Sequence, residues 1–440
     1  MVTALLYSRI DPAGVLIHAA IHDLIDEEGE AAWPLLSDGI IIHEIEGRLI
    51  YERGLDQKVD ADRIIFLSRH TSTRPEPVLT VHVTGNFGEA AYGGEPDELA
   101  AADPGMMQAV LKNLLQFAPP GYRAGYEVTH HGPSDLTTPS LFVEVGSTEV
   151  EWHDTRAARA VAKSVLSAVP GADAIPMIGF GGTHYAVRQS TIATETRGAF
   201  GHIAHSREAG SLTIDTVRRM AERSGAVAGY IDRKSVSTSD AHHITALLRE
   251  ADLRILSEGT LRAMGDIPWN IWCSASDLAE KAAPGSKMSN HGIDQHEELT
   301  IISLPDTLLS EALRYHPEEF ISSLNTITPC IRLEKGGAPA LPDFIGYRES
   351  GSQLASDLIT LCVQQITKHH NSVMEGDRLI IRRDRFNPEY ARKLGVPPGP
   401  LFGRLANGQT VTVGDRVIRP AMVCSCEVQE IQIPGLESYT

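Results

Sequence analysis

The sequence predicts an α/β protein, with a largely parallel or mixed sheet sandwiched by helices and a smaller α+β appendage behind it. Two patterns carry this. Up to about residue 260, brief apolar runs ended by Gly or Pro alternate with stretches of helical apolar spacing, which is the rhythm of β–α units. Beyond that point the alternation gives way to irregular, Pro- and Trp-containing segments and then to long helices and basic strands. A chain of 440 residues also exceeds one typical core, so two domains are expected, 1–260 and 286–440, joined by an irregular connector over 261–285.

Taken in order, Thr3 to Ser8 reads as the first strand. Asp11-Pro12 supplies an N-cap and a first-turn proline for a helix over Ala13 to Asp26. Gly39 to Ile45 and Leu49 to Tyr51 read as a hairpin turning at Glu46-Gly47. Ile64 to Leu67 is a buried strand that delivers Ser68-Arg69-His70, and the run from Leu79 carries His82. A helix is expected over Met106 to Phe117, strands over Tyr126 to Val128 and Leu141 to Val145, and a small-residue helix over Asp154 to Val169. Ile175 to Phe180 is a strand breaking into Gly181-Gly-Thr-His-Tyr185, with Ala199-Phe-Gly-His202 after it. Val227 to Asp232 and His242 to Ala251 give a late strand and helix. In the appendage, Leu304 to Tyr315 and Gln353 to His369 read as helices, and Arg378 to Arg382 and Gln409 to Ile418 as strands.

Composition narrows the function classes. No segment approaches the roughly 18 consecutive apolar residues of a membrane span, and the amino terminus lacks a charged leader, so a cytoplasmic protein without membrane attachment is expected. Five cysteines at irregular spacing, all beyond residue 270, suit a reducing compartment and no disulfide framework. A net charge of −18 argues against a general nucleic-acid coat, because nonspecific affinity comes from neutralising phosphates. Residues 378–404 oppose that sign, with Arg385, Arg392, Lys393 and Arg404 among their seven basic side chains. That segment is either an RNA-binding patch or a solvated face.

The chemistry concentrates in residues 125–152, where Glu127, His130, His131, Asp135, Glu144 and Glu151 fall within one short span. Ligands of open α/β sheets bind beyond strand carboxyl ends, and a neutral imidazole there can ligate a metal or take a proton from water. His70, His184 and His202 occupy similar strand-end or Gly-turn contexts; His82, between two valines, is either a further ligand or an ordinary strand histidine. No HExxH or HxHxDH pattern occurs. The residues therefore leave open a zinc site drawn from His70, His82, His130, His131, His184, His202 and Glu144, or a metal-free site with a histidine base and a carboxylate to orient it. Gly181 and Gly182 are candidate backbone donors to an oxyanion or phosphate, and Arg69 could hold a phosphate or carboxylate bidentately or sit in a structural ion pair.

Together, Ser68-Arg-His-Thr-Ser72, Thr80-Val-His-Val-Thr-Gly-Asn86, Thr129-His-His-Gly-Pro133, Phe142-Val-Glu-Val-Gly-Ser147, Glu151-Trp152, Gly181-Gly-Thr-His-Tyr185 and Ala199-Phe-Gly-His202 resemble the D-aminoacyl-tRNA deacylases of the second, zinc-associated type, over about residues 1–258. The resemblance implies a core related to peptidyl-tRNA hydrolases and nucleoside phosphorylases, zinc as cofactor, and hydrolysis of the ester joining a D-amino acid to tRNA. It departs from the family at Thr183, often Gly there, and at Val187, usually Pro. Separately, Ala391 to Val411 and Val417-Ile-Arg-Pro420 resemble the tail of the metallo-β-lactamase-fold tRNA 3′ processing endonucleases, without that family's metal-binding histidine motif. A borrowed tRNA-positioning module is implied.

On these readings Glu127, His130, His131, His184, Gly181 and Gly182 are the expected catalytic residues, and Arg69, Arg385, Arg392, Lys393 and Arg404 the expected tRNA contacts. A monomer acting on tRNA, not DNA, is anticipated. A nucleoside phosphorylase-like transferase and a non-catalytic tRNA-end binding protein are the rival classes.

Overall fold

The computed structural model describes residues 1–37, 39–73, 75–314, 316–336 and 338–436. It divides into two compact units, Met1–Gly265 and Asp266–Thr440.

The first unit contains two sheets. Six strands, β1 (Thr3–Ser8), β2 (Ile40–Ile45), β3 (Arg63–Arg69), β4 (Val78–His82), β5 (Arg123–Tyr126) and β6 (Ser140–Gly146), form a mixed sheet in the order β2-β1-β3-β6-β4-β5. All neighbours are parallel except β4 and β6. A second, all-parallel sheet runs β10-β9-β7-β8, built from β7 (Ile175–Phe180), β8 (Gly198–Ala204), β9 (Ala228–Ile231) and β10 (Arg254–Ile255). Strands β1, β6 and β8 are buried along their whole length, as expected where helices cover both faces of a sheet.

The helices start where the sequence says they should. Asp11 caps Pro12–Glu28 by accepting from the amides of Ala13 and Gly14 at 3.0 and 3.1 Å, and its second oxygen accepts from the Arg69 amide at 3.1 Å. One carboxylate thus begins a helix and fixes the end of β3. Asp103 caps Pro104–Phe117, and Asp154 caps Thr155–Leu166, whose Ala157, Ala158, Val161 and Ala162 are buried.

Three expectations are corrected. Gly39 to Tyr51 is not a hairpin: β2 runs parallel to β1 (Thr3 opposite Ile40), and Leu49–Tyr51 is one 3₁₀ turn. The intervening helix makes β1–helix–β2 a crossover unit, which buries apolar surface that a two-stranded ribbon would leave wet. Tyr126 to Val128 is not a self-contained strand, since β5 ends at Tyr126. The stretch expected to be an irregular connector instead carries the helix Trp269–Ala282, with Ile271, Trp272, Ala275 and Ala279 on its buried face. Pro268, read as a loop residue, is its N-cap.

In the second unit, β11 (Lys287–His291), β12 (Leu299–Ser303), β13 (Cys330–Lys335) and β14 (Ala338–Tyr347) form an antiparallel sheet in the order β11-β13-β14-β12. A second antiparallel sheet joins β15 (Asn371–Glu375), β16 (Arg378–Phe386) and β19 (Cys424–Gln432), and β17 (Val411–Val413) pairs with β18 (Arg416–Ile418) where one strand was expected. The expected helices appear as Asp306–Ala312 and Gly351–His369; Tyr315 lies outside the described residues. Leu308, Phe320, Leu358, Cys362 and Ile381 share one core, and Ala391, Val396, Leu405, Val411 and Val423 a smaller one. All five cysteines are free, and no helix among the described residues is long and apolar enough to cross a membrane.

Candidate active site

The segment after β5 stitches the two sheets of the first unit together. The Glu127 amide donates to Val81 O at 3.1 Å on one side; those of Val128 and Thr129 donate to His184 O and Ile203 O at 3.0 and 2.9 Å on the other. Its backbone is consumed by two partners, so it joins neither ladder, and the Glu127 side chain is left at the seam. Around it gather residues from separate elements: His70 just beyond β3, His82 ending β4, Glu144 within β6, His184 beyond β7, and the His130–His131 pair.

Glu127 is fully buried. Its Oε1 lies 3.0 Å from His70 Nδ1, and its Oε2 lies 3.1 Å from His184 Nε2, 3.4 Å from His130 Nε2 and 4.0 Å from His82 Nδ1. Neither oxygen, nor His82 Nδ1, has a partner with hydrogen-bond geometry. A buried carboxylate without a hydrogen-bond partner, ringed by imidazole nitrogens, fits a cation bound among them, with the His70 imidazolium at 3.0 Å compensating part of its desolvation. Glu144 Oε2 adds a second carboxylate 3.5 Å from His70 Nδ1. His70 Nε2 meets the Tyr185 hydroxyl at 3.1 Å, and Trp152 Nε1 donates to His70 O at 2.8 Å, which fixes the ring's backbone.

Tautomers are set from outside the cluster. His130 Nδ1 is 2.8 Å from Val128 O and His131 Nδ1 is 2.7 Å from Gly132 O, so each nitrogen carries the proton and each Nε2 presents a lone pair inward. His131 Nε2 lies 3.2 Å from His82 Nε2, and Phe142 stacks against the His82 ring as an apolar floor. His131 has φ +44°, which turns its ring toward the same centre as its neighbour's. Potential donor sets are His82–His130–His131, His70–Glu127–His184 and His82–Glu127–Glu144.

Burial lowers His130 to about 4, and His82 and His131 well below the ordinary imidazole value, which keeps them neutral and ready to ligate. Burial acts the same way on His70, but Glu127 and Glu144 outweigh it and push that group up to about 11. Burial raises Glu144 to about 7, with Glu127 beside it adding to the shift. Burial would raise Glu127 too, yet the surrounding imidazoles, His70 foremost, hold it well below the carboxylate range.

The cluster floors a cavity of about 500 Å³, lined by His70, His130, His131, Glu144 and His184 and walled by residues 48–51, 68–73 and Tyr92.

Of the residues anticipated from sequence, His70, His82, His130, His131, His184, Glu127 and Glu144 are brought together. His202 is not. It is fully buried, its Nε2 donates to Ala100 O at 2.9 Å, and its Nδ1 accepts from Thr129 Oγ1 at 3.0 Å, so neither nitrogen is left for a ligand. Gly181 and Gly182 are not open donors either: their amides bond Ala204 O at 2.9 Å and Ser235 Oγ at 2.7 Å, which removes the expected oxyanion or phosphate nest. Glu151 serves in a capping box with Thr148, and Asp135 accepts from the Gly54 amide. Arg69 lines the cavity with its guanidinium over the Trp152 ring at 4.7 Å. In the second unit Arg385 pairs with Glu427, Arg392 lies over Phe402, Lys393 over Tyr390, and Arg404 Nε donates to Gln409. Sequence reasoning gave no role to the Tyr185 hydroxyl or to Arg48, Tyr51 and Tyr92; the only signal for Tyr185 was its place next to His184.

A family model described as D-aminoacyl-tRNA deacylase matches residues 57–256. A D-aminoacyl-tRNA deacylase of Methanosphaerula palustris is 47% identical over 444 residues, covering 100% of both chains, and one of Methanoculleus marisnigri is 45% identical over 99% of both. A solved structure of a conserved protein of unknown function, 32% identical, superposes with a TM-score of 0.55 over 59% of this chain and 96% of its own. Full-length identity at this level leaves one assignment: the chain belongs to the D-aminoacyl-tRNA deacylase family.

Proposed function

We propose that the chain hydrolyses the ester joining a D-amino acid to the terminal ribose of tRNA, releasing D-amino acid and tRNA, at the cluster around Glu127. The observation that carries the site is the convergence of His70, His130 and His184, which line the cavity, on one buried, hydrogen-bond-orphaned carboxylate behind them. Membership of the deacylase family supports the substrate.

His82, His130 and His131 form an all-nitrogen donor set for zinc, with neutral imidazoles and two of the three tautomers locked by backbone carbonyls. Bound there, zinc would supply Lewis acidity, making water a better nucleophile and an ester carbonyl a better electrophile. His184 is half-exposed to the cavity, and its Nε2 rests on Glu127. It takes the proton of the attacking water, and Glu127 stabilises the imidazolium that forms. The carbonyl carbon gains the water oxygen, its bond to the ribose oxygen breaks, and His184 returns its proton to that leaving oxygen. With Gly181 and Gly182 committed elsewhere, the Tyr185 hydroxyl beside cationic His70 is the chain's own donor toward the oxyanion. An aminoacyl ester is already activated, so positioned water suffices without a covalent intermediate.

Residues 1–260 serve as the catalytic domain, and 286–440 as a module that positions tRNA. No carboxylate among the described residues pairs with Arg392, Lys393 or Arg404, which leaves their charges for phosphates. The test is to incubate the protein with D-tyrosyl-tRNA and L-tyrosyl-tRNA, with and without chelator, and with nucleoside plus phosphate. Release of D-tyrosine that stops on chelation and returns with zinc is expected. Phosphate-dependent nucleoside cleavage would point to a transferase instead, and binding without turnover to a tRNA-end binding protein.

A further inference from the structure

We infer that the cavity above the histidine cluster is a clamp for the single-stranded end of the RNA, in which Tyr51 and Tyr92 stack bases and Arg48 and Arg69 hold phosphates. The inference rests on the reading that the substrate is a tRNA ester, and it names the residues that would hold the nucleotides next to that ester.

Tyr51 and Tyr92 are 54% and 66% exposed, the two exposed aromatic rings among the described residues of the first unit, and both line this cavity. Rings left in water beside a reactive centre are the usual platform for unpaired bases, since every base offers a π-face. Two cations accompany them. Neither guanidinium has an ion-pair partner among the described residues; Arg48 lies over the Tyr51 ring at 5.4 Å and Arg69 over Trp152 at 4.7 Å. In a chain of net charge −18, attraction for a polyanion must be local, and Arg48 and Arg69 on the cavity wall provide it, the second with the Asp11 carboxylate nearby.

The platform is also fixed to the chemistry. The Gly132 amide donates to Tyr92 O at 3.2 Å. A Cβ on Gly93 (φ +85°) would run into the Ile50 carbonyl oxygen, and one on Gly132 into the Gly94 amide nitrogen. Segments 49–51, 92–94 and 131–132 are therefore interlocked at backbone contact, with His131 in the third. A base stacked on either ring is held at a set offset from the cluster, as cleavage of one defined ester requires.

The test uses the full chain and a fluorescein-labelled RNA tetranucleotide ending in CCA, read by anisotropy, alongside steady-state hydrolysis of D-tyrosyl-tRNA. Tyr51→Leu and Tyr92→Leu should each weaken RNA binding about tenfold or more and raise KM further than they lower kcat, while Tyr51→Phe and Tyr92→Phe restore binding. Arg48→Gln and Arg69→Gln should each flatten the salt dependence of binding. Leu variants that bind the RNA as tightly as the parent overturn the clamp. If they keep affinity and KM while the parent releases D-tyrosine, the clamp alone fails. If they lose affinity while the parent shows no release, the clamp stands and the hydrolysis reading fails.

Discussion

His202 separates a structural imidazole from the cluster it resembles in sequence. Its replacement by Ala removes a donor to Ala100 O and an acceptor for Thr129 Oγ1, both inside the first unit's core. Each buried group left unpaired costs about 1–3 kcal/mol, and the vacated ring volume adds to this, so His202→Ala should destabilise by about 4 kcal/mol at pH 7. At about 2–4 °C per kcal/mol, the melting temperature falls by roughly 10 °C. The pH dependence has a definite sign. Burial depresses His202 from 6.5 to about 4, so its stabilising share is complete above the unfolded value and lost as pH falls from 6.5 toward 4. Over that window the gap between parent and variant should shrink by about 3 kcal/mol, at about 1.4 kcal/mol per unit. Calorimetry across pH measures the gap, and elemental analysis of the folded variant should find metal content unchanged. A variant that melts with the parent yet loses its metal would return His202 to the donor set and refute this reasoning.

Three further outcomes are expected. Glu127→Gln should abolish turnover and destabilise by about 3–5 kcal/mol, because the His70 cation loses its nearest carboxylate; kinetics and denaturant titration check both. Gly93→Ala forces a Cβ onto the Ile50 carbonyl at φ +85°, and should lower the melting temperature and raise KM for D-tyrosyl-tRNA together. Phe320→Ala opens the core of the second unit and should cost about 3–5 kcal/mol by denaturant unfolding, with kcat for D-tyrosyl-tRNA unchanged while the chain stays folded.

Much of the fold was legible because its signals are local. Asp11-Pro12 and Asp154 mark helix starts through contacts within a few residues, and β3, β6 and β7 are short apolar runs that only a covered sheet can bury. What failed depends on partners distant in sequence. Ile40–Ile45 alternates no differently for a parallel neighbour than for a hairpin, and only β1 decides. The site divides the same way. His70 and His184 stand out as strand-end histidines, but nothing local distinguishes them from His202, whose fate is set by Ala100 and Thr129 at separations of 102 and 73 residues. The Gly181-Gly182 turn has the composition of an anion nest and fails as one because Ser235 and Ala204 reach its amides first.

The adjacency of His130 and His131 poses a geometric problem that the backbone resolves at measurable expense. Successive side chains of an extended segment point to opposite faces, yet both rings turn to the same centre, 4.4 Å apart. The left-handed conformation at His131, φ +44°, makes this possible, and a residue with a Cβ held there is strained by roughly 1–2 kcal/mol. Asn tolerates that conformation better than Ala does, while neither replaces the imidazole. His131→Asn and His131→Ala should therefore both lose metal and turnover, with the Asn variant more stable by about 1 kcal/mol. Equal stability would mean that the backbone relaxes once the ring is gone, so that ligation and not the surrounding fold holds His131 in place. A stable Asn variant that keeps its metal would remove His131 from the donor set altogether.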